Sequence, residues 1–478
     1  MFAARRRYRG YMKRQKTIAI IGGGVSGTLT AFHLAQQRVQ AEIVLIDPQP
    51  APGLGLAYST PSQRHLLNVP AGKISALPDQ PRHFVEWLRA NYDASITESD
   101  FAPRAVFGRY IQSLLAATPA VKHRPTVAVD AEISGREVRL DLADGTTLLA
   151  DAVVLATGNF DPAPMRGVAE EAIHSGAYCH SAWKDSTYTG LPHDAPVVLI
   201  GSGLTAVDVL LRLREIGHSG QVTTISRHGL FPHRHARYEP LQTDLFAGPP
   251  PASARLLLQI VHRAIKAGTD WRAVIDSLRA RTNELWQALP HAEQKRFHRH
   301  LQRRWEIVRH RMAPPIADLI DAELEAGTLT KVRGSVQAVV PSVLGAQVRF
   351  RRGGITREID AARVINCTGP DTNYRRVNSP LLANLFAKKL IVPGPHGAGL
   401  WTSPSGALKD ANGAFSDLIF HVGPGRQGTL LESIAVPELR QQAKDTAGLL
   451  SAAFAKSANQ PPNVRRQRLR SRAFARAL

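Results

Sequence analysis

The stretch TIAIIGGGVSGTLTAFHLA, residues 17–35, places an apolar strand, a glycine turn and the start of a helix in direct succession. Its glycines Gly22, Gly24 and Gly27 follow the pattern G-x-G-x-x-G. The first glycine permits a tight turn, the second lets the backbone approach a pyrophosphate, and the third lets helix and strand pack closely. The helix N-terminus then offers free N–H groups to phosphates. The stretch therefore predicts a dinucleotide-binding unit.

An acidic residue completes this unit. The next apolar strand, IVLI, ends at Asp47, 20 residues after Gly27. A carboxylate at the tip of the second strand is placed to accept hydrogen bonds from the ribose hydroxyls of an adenosine.

A second unit of the same kind follows in VVLIGSGLTAVDVLL, residues 197–211, where Gly201, Gly203 and Ala206 hold the three motif positions. The strand after it, QVTTIS, is followed by Arg227 and has no acid at its tip. An arginine can pair with a 2′-phosphate, which favours NADPH over NADH. Stacking of Arg227 on adenine, or exposure to solvent, remains open.

The segments downstream of the two units also match. Each contains alternating strands and returns to a buried strand, which ends at Thr157-Gly158 in the first half and at Thr368-Gly369 in the second. This order indicates an internal duplication. Two nucleotide sites in one chain predict two cofactors that exchange electrons, FAD at the Asp47 site and NADH or NADPH at the Arg227 site.

The predicted fold is α/β, with two Rossmann-like dinucleotide-binding domains, the nicotinamide domain inserted in the FAD domain, and an added helical subdomain. The predicted segments are a basic disordered tail (1–16), the first segment of the FAD domain (17–165), a linker (166–195), the NAD(P)-binding domain (196–370) with a helical insertion at about 250–312, the second segment of the FAD domain (371–450) and a second basic disordered tail (451–478).

Composition excludes several classes of protein. Of the net charge of +21, residues 1–16 and 456–478 contribute +7 each, without the interleaved aromatics typical of nucleic-acid channels. The two cysteines exclude a disulfide framework and, being far apart in sequence, a redox pair. No apolar run reaches the ~18 residues of a membrane span, and carboxylates at metal-ligand spacing are missing. We expect a cytoplasmic protein without a metal.

Four further stretches carry a family resemblance, GLGLAYSTPSQRHLLNVPAGKISALPDQPRHFVEWL, DWRAVIDSLR, RRWEIVRHRMAPP and GTLLESIAVPELRQQA. With both fingerprints, the sequence resembles the two-dinucleotide-domain flavoproteins, which include the flavin monooxygenases, and more closely the bacterial FAD-NAD(P)-binding proteins, over residues 17–446. Some flavoprotein urate hydroxylases have this organisation. The F-x-G-x-x-x-H motif of flavin monooxygenases is degenerate here, because His174 replaces the phenylalanine before Gly176 and His180.

The resemblance implies an NAD(P)H-oxidising monooxygenase that uses O2 and hydroxylates a small, anionic aromatic substrate through a flavin C4a-hydroperoxide. The specific expectation is urate, converted to 5-hydroxyisourate. One alternative is an NAD(P)H-dependent reductase or dehydrogenase without oxygen insertion. Another is a flavin-bound, redox-responsive protein whose tails bind nucleic acid.

Two groups of residues are candidates for the flavin site. Asn68 is placed to hydrogen-bond the flavin ring or a peroxy intermediate, and Lys73 to counter the charge of reduced flavin; a turn asparagine and a surface lysine are the alternatives. Gly423 and Gly428 allow a close approach, and a helix starting near Thr429 would direct its positive end at the flavin pyrimidine.

The candidate substrate site lies at the two ends of the helical insertion. His235, Arg309 and Arg311 would form a basic wall for an anionic planar substrate if those ends meet. The alternative is a solvated basic helix face together with contacts to the phosphates of NADPH.

Overall fold

The computed structural model describes residues 14–458. Residues 1–13 and 459–478, most of the two predicted tails, lie outside the described residues.

The strands of the described chain are β1 (Thr17–Ile21), β2 (Glu42–Ile46), β3 (Val121–Arg124), β4 (Ala128–Ser134), β5 (Glu137–Leu142), β6 (Thr147–Ala150), β7 (Ala152–Leu155), β8 (Tyr178–Cys179), β9 (Val197–Ile200), β10 (Val222–Ser226), β11 (Leu329–Arg333), β12 (Ser335–Ser342), β13 (Gly345–Arg352), β14 (Ile355–Ala361), β15 (Arg363–Asn366), β16 (Ala407–Lys409) and β17 (Phe415–His421).

The helices are α1 (Val25–Gln36), α2 (Gly55–Tyr58), α3 (His83–Asn91), α4 (Arg104–Ala116), α5 (Glu170–His174), α6 (Leu204–Glu215), α7 (Ala254–Lys266), α8 (Trp271–Ser277), α9 (Thr282–Ala288), α10 (His291–His300), α11 (Gln302–Arg309), α12 (Pro314–Glu325), α13 (Pro380–Ala387) and α14 (Val436–Ala458).

The first large sheet has the strand order β16-β17-β7-β1-β2-β3 and is parallel except at β16. Every residue of β1 is buried. Strands covered on both faces need continuous apolar runs, which is why TIAII and EIVLI do not alternate with polar residues.

The second large sheet has the order β11-β10-β9-β15-β8 and is entirely parallel. In both sheets the strand before the glycine turn lies between the next strand in sequence and the strand that closes the unit, as β7-β1-β2 and β15-β9-β10. Each unit also carries an antiparallel three-stranded sheet, β4-β5-β6 or β12-β13-β14. The predicted α/β fold with two Rossmann-like units is confirmed.

The helical insertion comprises α7 to α11, and its two ends meet. The His235 amide donates to the Met312 carbonyl at 2.9 Å, and the Met312 amide donates to the His233 carbonyl at 2.8 Å. The last helix of the insertion ends at Arg309, close to the predicted bound of about 312. Pro314 and Pro315 open the next helix, α12, because proline lacks only an N–H group that has no partner in a first helical turn.

After the second unit the chain returns to the first sheet through β16 and β17, and α14 then packs against α1. The prediction of a helix starting near Thr429 is wrong. A short 3₁₀ helix, Pro424–Gly428, and a loop come first, and α14 begins at Val436, with Pro437 in its first turn.

The boundary predicted for the second tail also differs. Helix α14 continues to Ala458, so residues 451–458 are helical. Leu450 and Phe454, four residues apart on one helix face, are buried in the core of the first domain and anchor this end.

Candidate active site

The first glycine turn is packed too closely for side chains. Gly22 has φ +105°, and an added Cβ would lie 2.3 Å from the Ala156 carbonyl oxygen. A Cβ on Gly27 would lie 1.8 Å from the Gly22 carbonyl oxygen. Gly24 is the N-cap of α1, and no side chain caps that helix. The amides of the first turn are therefore available to an anion.

The carboxylate of Asp47 faces this turn. The Gly23 amide donates to Asp47 Oδ2 at 2.6 Å, and the Gln49 amide donates to Oδ1 at 2.9 Å. The side chain is only partly buried, and a carboxylate has about four acceptor positions. Two acceptor positions of Asp47 therefore remain for the hydroxyls of a ribose.

The end of β7 closes this site from the other side. The hydroxyl oxygen of Thr157 is buried and has no hydrogen-bond partner. The carbonyl of Gly158 accepts a hydrogen bond from the Tyr374 hydroxyl at 3.1 Å. A buried hydroxyl without a partner is unfavourable unless a ligand satisfies it. With the uncapped helix and the turn that excludes side chains, this hydroxyl fits the binding of FAD.

The second glycine turn repeats the geometry of the first. Gly201 has φ +119°, and its added Cβ would lie 2.4 Å from the Cys367 carbonyl oxygen. Gly203 is the N-cap of α6, again without a side-chain cap, and Ala206 is buried where the first unit has Gly27. Gly369, next to the closing strand, has φ +86°.

A pocket of about 300 Å³ opens at this turn. It is lined by Gly201 and Gly203, by Thr368, and by Arg227 and His228 from the tip of β10. Its position, between the glycine turn and the neighbouring strand tip, is where a bound adenosine lies in this fold.

Positive charge concentrates beside this pocket. Burial lowers the pKa of His228, and the nearby charges of four arginines lower it further; these are Arg227, Arg303, Arg333 and Arg304. Only Arg227 and Arg303 of these four line the pocket, and Arg303 is paired there with Glu306 at 3.5 Å. Arg227 is exposed at the strand tip, and a guanidinium in this position can pair with a 2′-phosphate.

Sequence reasoning missed Arg303. This residue of α11 lies in the pocket wall, and its Nη2 donates to the Ser202 carbonyl at 3.2 Å and to the Leu230 carbonyl. The helical insertion thus contacts the second glycine turn directly. The run LQRRWE shows a basic helix, but nothing in it indicates a contact 101 residues away.

The structure brings Asn68, Lys73 and His235 to one place. His235 Nε2 donates to the Asn68 carbonyl at 3.0 Å, and Lys73 Nζ donates to the Tyr238 hydroxyl at 3.2 Å. Burial, and then the charge of Arg311, lowers the pKa of His235 to about 4. His235 is therefore uncharged at neutral pH.

Arg309 and Arg311 are both buried, and each is paired with a carboxylate. Arg309 Nη2 lies 2.7 Å from Glu432 Oε2, and Arg311 contacts Asp276. Burial alone would raise the pKa of Asp276, but hydrogen bonding to Arg311 and its charge lower it overall. The two guanidinium groups thus do not form an open basic wall with His235.

The loop after β17 reaches the first glycine turn. An added Cβ on Gly423 would lie 2.8 Å from Ser26 Oγ in the first turn of α1. A Cβ on Gly428 would lie 2.2 Å from the Ala398 carbonyl oxygen, and Thr429 Oγ1 accepts from the Thr402 amide at 3.2 Å. Gly423 therefore lies against the predicted FAD site, whereas Gly428 and Thr429 pack against the neighbouring loop.

Three further observations concern other kinds of site. Both cysteines are free, and burial raises the pKa of the Cys367 thiol, which disfavours the reactive thiolate. Within residues 14–458 no group of three or more His, Cys, Asp or Glu side chains is arranged to hold a metal ion. No helix in that range is long and apolar enough to cross a membrane.

Comparisons with known proteins place the fold. The profile of the FAD-NAD(P)-binding family matches residues 19–160, which contain the first glycine turn, Asp47 and Thr157-Gly158. The uncharacterized protein YdhS of Escherichia coli (strain K12) is 24% identical over 314 residues. That match covers 55% of this chain and 58% of the relative, so it spans little more than half of either protein.

Solved structures match over a larger share of the chain. An ornithine N-hydroxylase from Kutzneria sp. 744 has a TM-score of 0.65 at 15% identity, covering 92% of this chain and 100% of that one. The L-lysine 6-monooxygenase of Pseudomonas syringae has a TM-score of 0.63 at 16% identity, with the same coverage. The bacillithiol disulfide reductase of Bacillus cereus scores 0.55 at 15% identity, also with 92% and 100%.

The sheet order and the two glycine turns define a fold with two Rossmann-like dinucleotide-binding units, the first of which matches the FAD-NAD(P)-binding family over residues 19–160. The cofactors that these units fit are FAD and NAD(P).

Proposed function

We propose that the protein is an FAD-dependent monooxygenase with NADPH as its preferred reductant. The observation that carries the proposal is the repeated, uncapped glycine turn, with Asp47 at the first site and an arginine cluster at the second. Bound FAD would accept a hydride from the nicotinamide and react with O2. Overall, one oxygen atom enters the substrate and the other leaves as water, with two electrons from NADPH and a proton from solvent.

The chain's own residues hold and orient the two nucleotides. The N-termini of α1 and α6 bind the pyrophosphates, and Thr157 supplies a hydroxyl to the first of them or to its flavin. Arg227 and Arg303 contact the adenosine end of the second. Asn68 and Lys73 lie beside the insertion and are the proposed groups nearest the reaction.

The cysteine content argues against disulfide reduction. The chain has only two cysteines, neither in a C-x-x-C pair, so it lacks the dithiol that disulfide reductases need. The similar structures include an ornithine N-hydroxylase and an L-lysine 6-monooxygenase, and oxygen insertion is the proposed chemistry on that ground.

The narrower hypothesis of urate hydroxylation has little support from the geometry. It required Arg309 and Arg311 to face a planar anion, and both guanidinium groups are buried against Glu432 and Asp276. A buried arginine already paired with a carboxylate has little charge left for a ligand. Urate therefore enters the test as one compound among several.

The test is NADPH and NADH oxidation by the purified flavoprotein, with oxygen and peroxide followed together. We expect NADPH to bleach the flavin anaerobically and to do so at lower concentration than NADH. Oxygen uptake stimulated by a substrate, with little peroxide, would support the monooxygenase. Flavin reduction followed only by peroxide release with every substrate, or transfer to another acceptor, would favour the reductase instead.

A further inference from the structure

An apolar cavity of about 610 Å³, open to solvent on one side, lies among the helices of the insertion. Three tryptophans line it, Trp271, Trp286 and Trp305, together with aliphatic side chains such as Ile275 and Leu285. Cavities of ~300–1,000 Å³ hold small organic ligands. Large apolar surfaces left open on a folded protein commonly mark ligand-binding grooves.

Helix α7 forms one side of this cavity. Leu257, Leu258, Val261 and Ile265 all line it and lie on one arc of the helix at 3.6 residues per turn. Within α7 only Ala254 is buried. The apolar face of α7 therefore borders the cavity and remains partly exposed to water. An apolar molecule bound in the cavity would remove that face from water.

Helix α11 is a wall shared by the cavity and the dinucleotide pocket. Arg303 and Glu306 line the pocket, whereas Arg304, Trp305 and Val308 line the cavity. At about 100° per residue these two sets point to opposite faces of the helix. The cavity therefore lies one helix thickness, about 10 Å, from the site proposed for NADPH.

The cavity also reaches the first domain. Leu431, from the loop between β17 and α14, lines it. The cavity is thus bordered by the insertion and by the second segment of the first domain.

The polar groups on the cavity wall carry no negative charge. They are His233, His262, Thr282 and Arg304. Burial, and then the charge of Arg272, lowers the pKa of His233, which favours the neutral imidazole. Arg304 is exposed and forms no ion pair with another residue of the described chain. It is the fixed charge at the rim of an otherwise hydrocarbon surface.

We propose that this cavity binds the substrate, and that the substrate is an amphipathic carboxylic acid. Its apolar body would fill the space between α7 and the tryptophans, and its carboxylate would lie at Arg304. The assignment of the occupant as the substrate rests on the proposed monooxygenase; the binding site itself does not.

Calorimetric titration of the FAD-loaded protein with decanoate tests the proposal, with decanol and decylamine as probes of the head group. We expect saturable, single-site binding of decanoate, and weaker binding of decylamine. Quenching of tryptophan fluorescence should follow the same curve, because three of the six tryptophans line the cavity.

Two variants locate the ligand. Val261→Trp fills the cavity from α7 and should weaken decanoate and decanol at least tenfold, while Gln259→Trp, on the exposed face of the same helix, should change neither. Arg304→Gln should weaken decanoate about two- to fivefold, as expected for an exposed ion pair, and leave decanol unchanged. Arg299→Gln removes the same charge from exposed α10 as its control.

The outcomes separate this inference from the proposed function. Absence of saturable binding by all three probes, or binding that Val261→Trp leaves intact, overturns the cavity as the site. If decylamine binds with the same affinity as decanoate, the claim that the cavity recognises a carboxylate is overturned. Tight decanoate binding that never stimulates oxygen uptake leaves the site in place and overturns its role for the substrate. NADPH-dependent flavin reduction without any decanoate binding leaves the proposed oxidoreductase in place and overturns the cavity as a binding site.

Discussion

Replacing Gly27 with alanine should destabilise the first domain and abolish its binding of FAD. The added Cβ would lie 1.8 Å from the Gly22 carbonyl oxygen and 3.3 Å from Ala156 Cβ. Backbone contacts do not yield as a side-chain tip does, so α1 must move away from β1 by more than 1 Å to restore a contact of about 3 Å. Overpacking of this kind costs about 3 kcal/mol, the upper end of its usual range.

The magnitude can be measured. A loss of about 3 kcal/mol should lower Tm by about 6–12 °C for a domain of this size, and the purified variant should lack the yellow colour of flavin. Ala206→Gly makes the opposite exchange in the second unit and should cost only about 1 kcal/mol, the helix penalty of glycine. A yellow Gly27→Ala protein with unchanged Tm would refute the assignment of the first turn and the packing argument together.

Three further predictions follow from the described contacts. Arg227→Ala should raise the KM for NADPH about tenfold and leave that for NADH within twofold, as measured by steady-state kinetics; equal changes for both would exclude a phosphate contact. Thr157→Val removes a buried hydroxyl without a protein partner, so equilibrium dialysis should show FAD affinity about five- to tenfold lower while the apoprotein is no less stable; unchanged affinity would mean that FAD does not use the hydroxyl. Asp276→Asn should cost about 3 kcal/mol because it leaves Arg311 buried without its anion. Since the folded pKa of Asp276 is lowered, its contribution is present above the unfolded pKa of about 3.9 and lost as pH falls through the folded value, so thermal melts of wild type and variant should converge in acid; a gap independent of pH would contradict this.

The features of the fold that the sequence predicts are those with a local cause. Both glycine turns, the apolar strands before them and the repeated order of the two units follow from motif spacing and periodicity. The predicted start of α14 near Thr429 is wrong, although the signal for its true start is local. Pro437 is favoured in a first helical turn, whereas the glycines at Gly423–Gly428 favour irregular backbone.

The contacts between distant segments were not predictable in the same way. Arg303 and Arg309 belong to one basic helix, and no local pattern shows that the first reaches Ser202 while the second is paired with Glu432. A helix whose arginines are exposed to solvent and a helix whose arginines form buried ion pairs can have the same amino-acid composition. Only the packing of the insertion against both domains distinguishes them.

The position of α11 has a thermodynamic consequence. Its two faces border separate pockets, so a displacement of this short helix alters the free energy of binding in both. Linkage requires that any factor by which a dinucleotide changes the affinity of the cavity equals the factor by which an occupant of the cavity changes the affinity for the dinucleotide. Coupling between the two pockets would then require a shift of only eight residues, Gln302–Arg309, and no movement of whole domains.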